Sequence, residues 1–271
     1  MVNSQRVGIT DYFTAVPNFV GKTLTIAELE ARKLQHDSTE VFTRAVQPAL
    51  WLLIFGEVLA SIRAIPTGEI SYIDFIAPGI LAQSVLFIAI FYGIAIIWER
   101  DLGIIHKFLA TPTPRSALVL GKALSSGERG LAQAVIVYVL ALMIGVHLSW
   151  NLMNLLGVAI VVILGSALFS TFSLIIACLV KTRERFMGVG QLLTMPLFFA
   201  SNAIYPISIM PFSLQVISRI NPLTYEVDAL RALMITNGLS AYGVSFDILF
   251  LLASTAINVV VAAKLYSRVV V

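Results

Sequence analysis

The residue types that could carry chemistry are few and scattered. Hydrolysing a nucleotide requires a loop of the form GxxxxGK[ST], whose backbone amides cradle phosphate. Gly21-Lys22-Thr23 supplies its end, but its first glycine would fall at Val16, and Gly121-Lys122 is followed by Ala123. The serine elbow GxSxG fails at Gly165-Ser166-Ala167, which lacks the second glycine. His36, His106 and His147 lie far apart in polar segments, so no metal cluster is expected. The single Cys178 sits in an apolar run, which excludes a disulfide framework and a cysteine-based metal site. No catalytic residue and no metal ligand is assigned. Glu57 is the acid well inside an apolar run, where an ionised carboxylate at a bilayer centre costs about 2.5–3.5 kcal/mol. It should therefore face protein or water. Two readings stay open, a structural hydrogen bond near the end of the run or a substrate contact.

Polar chemistry concentrates in one stretch, Trp98 to Gly130, which holds Arg100, Lys107, Arg115, Lys122 and Arg129 between two apolar runs. Leu102, Ile105 and Leu109 recur at i, i+3, i+7, with Asp101, His106 and Lys107 pointing elsewhere, and Pro112 and Pro114 end the pattern. This predicts a short amphipathic helix over 101–110. About 10 residues rise only ~15 Å, half of a bilayer core, so it lies across a membrane end or docks on something outside. Gly103 within it permits close backbone approach. Arg100, Asp101, Gly103, His106 and Lys107 could merely solubilise a loop, but a free loop explains neither the stripe nor the proline stop; docking is the preferred reading. A second organised stretch starts at Asn221, an N-cap followed by Pro222 at the first helical position. Leu223, Val227, Leu230 and Met234 form its apolar stripe, Asn237-Gly238 ends it, and Asp228 and Arg231 are spaced to neutralise each other.

The elements that must hold these residues follow from composition. Of 271 residues 58% are hydrophobic and 12% charged, against about 25% charged in soluble domains. The fold class is therefore an all-α integral membrane protein. Six apolar runs are expected as transmembrane helices, approximately 45–62, 75–97, 131–146, 155–180, 189–204 and 246–265. The third is continuous with the 116–127 stretch, where Lys122 reaches the interface by snorkelling, and Pro196 kinks the fifth. Residues 1–44 form an N-terminal segment in which Thr25 and Glu28 make a capping-box pattern for a helix to about His36. The membrane unit is 45–271. Segments before the first run, between the second and third, between the fourth and fifth, and after the sixth hold 15 Lys and Arg, and the alternate segments hold 3. Basic residues mark the cytoplasmic side. Both termini and the Trp98–Gly130 stretch are thus cytoplasmic, and 205–245 is external. A net charge of +3 gives no reason to expect nucleic acid as a partner.

Four passages together resemble the membrane subunit of the type-2 ABC exporters, most of all the daunorubicin-resistance permease branch. They are QPALWLLIFG (Gln47–Gly56), APGILAQSVLF running into WERDLGIIHKFLATPTPRSALVLGKAL (Ala77–Phe87 and Trp98–Leu124), FFASNAIYPI, and INPLTYEVDALRAL (Ile220–Leu233). The resemblance implies a six-span permease in the plasma (inner) membrane that pairs with a second permease, identical or homologous, in contact with membrane lipid. It implies two cytosolic ATPase subunits, which bind ATP and Mg; no cofactor is expected in this chain. It implies an interfacial helix at 26–36 and a coupling helix at 101–110 that meets the ATPase through Arg100, Asp101, Leu102, Gly103, Ile105, His106, Lys107 and Leu109. Short re-entrant helices over 206–236 are implied at the outer mouth, with Asn221, Pro222, Tyr225, Asp228 and Arg231 as their motif. Glu57, Gln83, Ser84 and Asn202 become candidates for the substrate path, or else polar contacts within the bundle.

Two other functions compete. An intramembrane hydrolase or transferase needs paired carboxylates or His/Glu ligands at one depth, and none is evident. A stand-alone ion-coupled carrier or channel usually gathers several polar groups at the midplane, where only Glu57 is a candidate. An apolar path suits an amphiphile such as a lipid, a hydrophobic drug or a lipid-linked glycan.

Overall fold

The computed structural model describes residues 21, 23, 25, 46–62, 65–68, 70–105, 114–180 and 182–266. The expected helix at 26–36, and His106, Lys107 and Leu109, lie outside them. Thr25 is described and is not the expected N-cap. It is helical, and its hydroxyl donates to the Gly21 carbonyl at 2.9 Å.

Eight α-helices organise the described residues. They are α1 (Val46–Ile62), α2 (Tyr72–Asp101), α3 (Arg115–Met143), α4 (Leu152–Leu179), α5 (Arg183–Phe199), α6 (Phe212–Ile220), α7 (Pro222–Met234) and α8 (Val244–Leu265). The middle of α1, Trp51–Gly56, winds as a π-helix. Side chains start four of the helices. Ser71, Asn151, Thr182 and Asn221 each accept a bond from a first-turn N–H, of Asp74, Met153, Arg185 and Leu223 respectively. Such caps satisfy amides that have no partner inside the helix, at about 1 kcal/mol each. Prolines 114 and 211 precede α3 and α6 instead. An isolated antiparallel bridge, Leu148 to Ile235, ties the turn after α3 to the end of α7.

The expected third run and the 116–127 stretch are indeed one helix, α3, of 29 residues. By length and composition α2, α4 and α8 suffice to cross a membrane, and α1 is a shorter apolar helix. α5 begins earlier than the expected run, at Arg183, and stops at Phe199, three residues past Pro196.

The apolar α4 is the hub, packing against α2, α3, α7 and α8. Small residues let these helices approach. A Cβ on Gly93 would overlap Ser173 and Phe186, one on Gly130 would overlap Ser166, and one on Gly79 would overlap the Ala203 backbone. Two apolar clusters result. One joins the N-terminal half of α2 to α4 and α7. The other gathers Ile96, Ile97, Leu118, Phe186 and Tyr266 at the opposite end.

Candidate functional site

The basic corner lies where α2 ends. The helix stops at Asp101, and Gly103 follows with φ of 71°. That left-handed backbone is open to glycine and strained for other residues. An added Cβ there would meet nothing within 4 Å. Gly103 therefore serves to turn the chain, not to admit a close backbone. The turn corrects the expected apolar face as well. Leu102 is 67% exposed, whereas Ile105 is 0% exposed and belongs to the second cluster, beside residues of α2, α3 and α5. The two do not share one surface, because the turn at Gly103 breaks the helical period between them.

Arg100 and Asp101 form the last turn of α2. Asp101 accepts from Arg100 at 3.1 Å through one carboxylate oxygen and from Arg183, at the start of α5, at 2.9 Å through the other. The Arg183 guanidinium also lies over the Trp98 ring, 3.4 Å from its centroid. Lys122 does not reach the surface as expected. It is buried and donates to Glu99 at 2.7 Å, a fully interior ion pair between α2 and α3. Arg129 lies 4.5 Å above the Tyr92 ring, a second tie between the same helices. Three helices are thus braced around one exposed turn.

The second site is built on α7. Asn221 caps it and also donates to the Leu197 carbonyl at 2.6 Å, anchoring α7 to α5. Pro222 takes the first helical position, and the whole stripe of Leu223, Val227, Leu230 and Met234 is buried. Tyr225 donates to the Arg219 carbonyl at 2.6 Å and stacks on Phe250 of α8. Asp228 and Arg231 form no direct ion pair, although the Asp228 charge acts on the guanidinium. Asp228 Oδ2 accepts from Ser240 Oγ and from the amides of Ala241 and Tyr242. Arg231 donates to the Asn202 carbonyl at 2.7 Å and, at 3.4 Å, to that of Phe75, whose ring it covers. Burial pulls its guanidinium down to about 10, with Asp228 opposing the fall.

A model of the ABC-2 type transporter family matches residues 22–235, spanning both sites. The chain belongs to the ABC-2 type transporter family. It is 24% identical over 215 residues to a daunorubicin resistance ABC transporter permease protein, DrrB1, of Streptomyces coeruleorubidus, covering 79% of this chain and 75% of that one. It is 26% identical over 188 residues to the inner membrane transport permease YadH of Escherichia coli, covering 67% of this chain and 70% of that one. The chain is accordingly the membrane subunit of a transporter, and its relatives are permeases.

The remaining candidates of this permease divide by burial. Glu57 is exposed on α1 among Ile54, Phe55 and Val58. Gln83 and Ser84 are buried in α2, Ser84 donating to its own helix at Ile80. Ser84 also lines a cavity of about 340 Å³ with Gln47, Phe87, Phe91 and Gln133. Asn202 is buried after α5, its side-chain oxygen without a hydrogen-bond partner. His147 is an exposed side chain whose Nδ1 lies 3.0 Å from Asp74 Oδ2.

Among the buried acids that the sequence did not single out is Glu226. Glu226 of α7 is fully buried against Gly165 of α4, and neither carboxyl oxygen has a hydrogen-bond partner. Burial holds this carboxyl well above the usual carboxylate range. A readable signal existed, because Glu226 falls at i+3 from Leu223 and four before Leu230, on the apolar stripe itself.

Proposed function

We propose that this permease exports an amphiphile under the drive of two separate cytosolic ATPase subunits, which hold ATP and Mg, and that a second permease completes the path. In this reading α1 to α5 and α8 are six spans of the plasma (inner) membrane. Both termini and the α2–α3 corner are cytoplasmic, and α6 and α7 lie at the outer mouth.

The braced corner carries the reading. A lever must transmit displacement without flexing, and the Glu99–Lys122 and Asp101–Arg183 pairs join α2 to α3 and α5 where Leu102 stands exposed. A push on 101–110 would move these helices as one. The turn, not a continuous amphipathic face, is then the docking element, with Leu102 outward and Ile105 as the inner anchor. Glu57 supports the second permease. An exposed carboxylate among apolar side chains is unfavourable against lipid, so that face of α1 is better covered by protein or water.

The test is recovery of an ATPase with the tagged full-length chain from its native membrane. Leu102→Asp should keep expression and melting temperature while lowering ATPase recovery about tenfold, as for one central apolar contact. Ile105→Asp should instead destabilise the permease itself, since it buries an unpaired charge. Undiminished recovery with Leu102→Asp would remove the corner from the coupling. Recovery of no ATPase at all from native membranes would favour the stand-alone carrier.

A further inference from the structure

A cation and an anion that do not pair with each other border one cavity beside α7. The cavity, about 500 Å³, is lined by Arg231, Asp228 and Asn202, with Phe75, Ile207 and Leu239 among its apolar walls. That size suits a small ligand or a headgroup. Arg231 is 6% exposed, and its guanidinium is held by two carbonyls and a ring, which fix its orientation, while the nearby Asp228 charge acts on it without a direct ion pair. Asp228 is likewise held by a hydroxyl and two amides, none of them charged. A third group lining the cavity is Asn202, 3% exposed, whose Oδ1 is buried without a donor. A buried acceptor left unmatched is unfavourable, and a ligand that brings an N–H removes that cost.

The complement of such a site is a small zwitterion. Arg231 suits a phosphate or other oxyanion, through the fork geometry that favours such groups. Asp228 suits a positive group, and Asn202 Oδ1 needs that group to carry a hydrogen. A primary ammonium meets both requirements, and a quaternary ammonium meets only the first. The apolar walls accommodate the carbon skeleton next to the charges. We propose that this cavity binds a phosphate ester bearing a nearby primary ammonium, the chemistry of a phosphoethanolamine headgroup. This names a ligand class for the outer-mouth region and borrows from the functional reading only the side of the membrane. Binding itself needs no ATPase, so failure of the motor assignment leaves it untouched, and the reverse holds.

The experiment is isothermal titration of the purified, delipidated full-length permease with short-chain phosphatidylethanolamine, phosphatidylglycerol and phosphatidylcholine, and with soluble phosphoethanolamine. The ethanolamine lipid should saturate and bind about tenfold tighter than the other two lipids. Soluble phosphoethanolamine binding as tightly as the lipid would support the same site with a soluble ligand; weaker binding would support the lipid as its source. Asn202→Leu should lower ethanolamine-lipid affinity about tenfold at an unchanged melting temperature, and Asp228→Asn should erase the preference over phosphatidylglycerol. Should either variant fail to fold, the headgroup ladder on the unmodified chain still decides. Absence of saturable binding, or equal affinity for the three lipids, overturns the proposal, as does unchanged affinity in a folded Asn202→Leu.

Discussion

Glu226 is the side chain whose surroundings least suit its charge. With both oxygens buried and unmatched, the protonated acid fits the α7–α4 contact and the carboxylate does not. Its folded value lies well above the reference of 4.5, through burial. A raised folded value means the contribution is fully present below the unfolded value and is lost as pH rises towards the folded one. Between the two, stability should fall by about 1.4 kcal/mol per pH unit. Thermal melts of the purified permease from pH 5 to pH 8 should therefore show falling stability, and Glu226→Gln should flatten that slope. An identical slope in the variant would assign the titration elsewhere. At this scale the sequence was a mixed guide. Spacing alone identified the Asn221 cap, Pro222 and the four-residue stripe of α7, because those features are local. It also suggested that Asp228 and Arg231 neutralise each other; their charges do interact, but the hydrogen bonds of each go to distant segments that spacing does not show, Phe75 and Asn202 for one and Ala241 and Tyr242 for the other. Burial of Glu226 depends on Gly165, a residue with no local signal towards it.

At the scale of elements, the corner between α2 and α3 shows where periodicity misleads. Counting i, i+3, i+7 treats 101–110 as one helix, but Gly103 adopts a positive φ and separates Leu102 from Ile105. Glycine both permits close approach and weakens a helix, and at Gly103 the positive φ and the open space around it leave only the breaking. The Glu99–Lys122 pair was not legible, because 23 residues and a turn separate its members and snorkelling is the ordinary fate of a lysine near a span end. The pair makes a strong prediction. Removing one partner of a buried ion pair leaves the other uncompensated, at about 3–5 kcal/mol. Glu99→Gln should lower stability by that order, and Glu99→Gln combined with Lys122→Met should recover much of it, since the stranded ammonium is gone. Denaturation of the purified variants measures both. A double variant as unstable as the single would show that other contacts of these helices carry the loss.

For the whole molecule, the open quantity is how many helices cross, and on which side each connection emerges. Composition alone marks α2, α4 and α8 as spans. The others were inferred from shorter apolar runs and from the unequal distribution of 15 and 3 basic residues over alternate connections. α3 is the more polar helix, carrying Arg115, Lys122, Glu128 and Arg129, yet Lys122 is buried in an ion pair and Arg129 rests on Tyr92. Its polar half therefore need not lie in water. α1 and α5 are the shortest proposed spans, 17 residues each, or about 26 Å against a core of ~30 Å. Single cysteines can decide α3 and α5 in a Cys178→Ala background, the native thiol being buried. Arg115 and Glu184 are exposed residues at the N-terminal ends of α3 and α5, and Trp150 and Leu239 are exposed in the turns after α3 and α7. A membrane-impermeant maleimide on intact cells should label Trp150→Cys and Leu239→Cys, and reach Arg115→Cys and Glu184→Cys only after permeabilisation. The pairs bracket one helix each for α3 and α4, so alternation between Arg115, Trp150 and Glu184 requires that both cross. Glu184 and Leu239 bracket α5 with the two short helices α6 and α7, and opposite labelling requires a crossing within that segment. Only α5 has the length for it, since the 13 residues of α7 reach about 20 Å. If Glu184→Cys labelled from outside as readily as Leu239→Cys, α5 would be re-entrant, and the cytoplasmic face of the corner would lose its Arg183 brace.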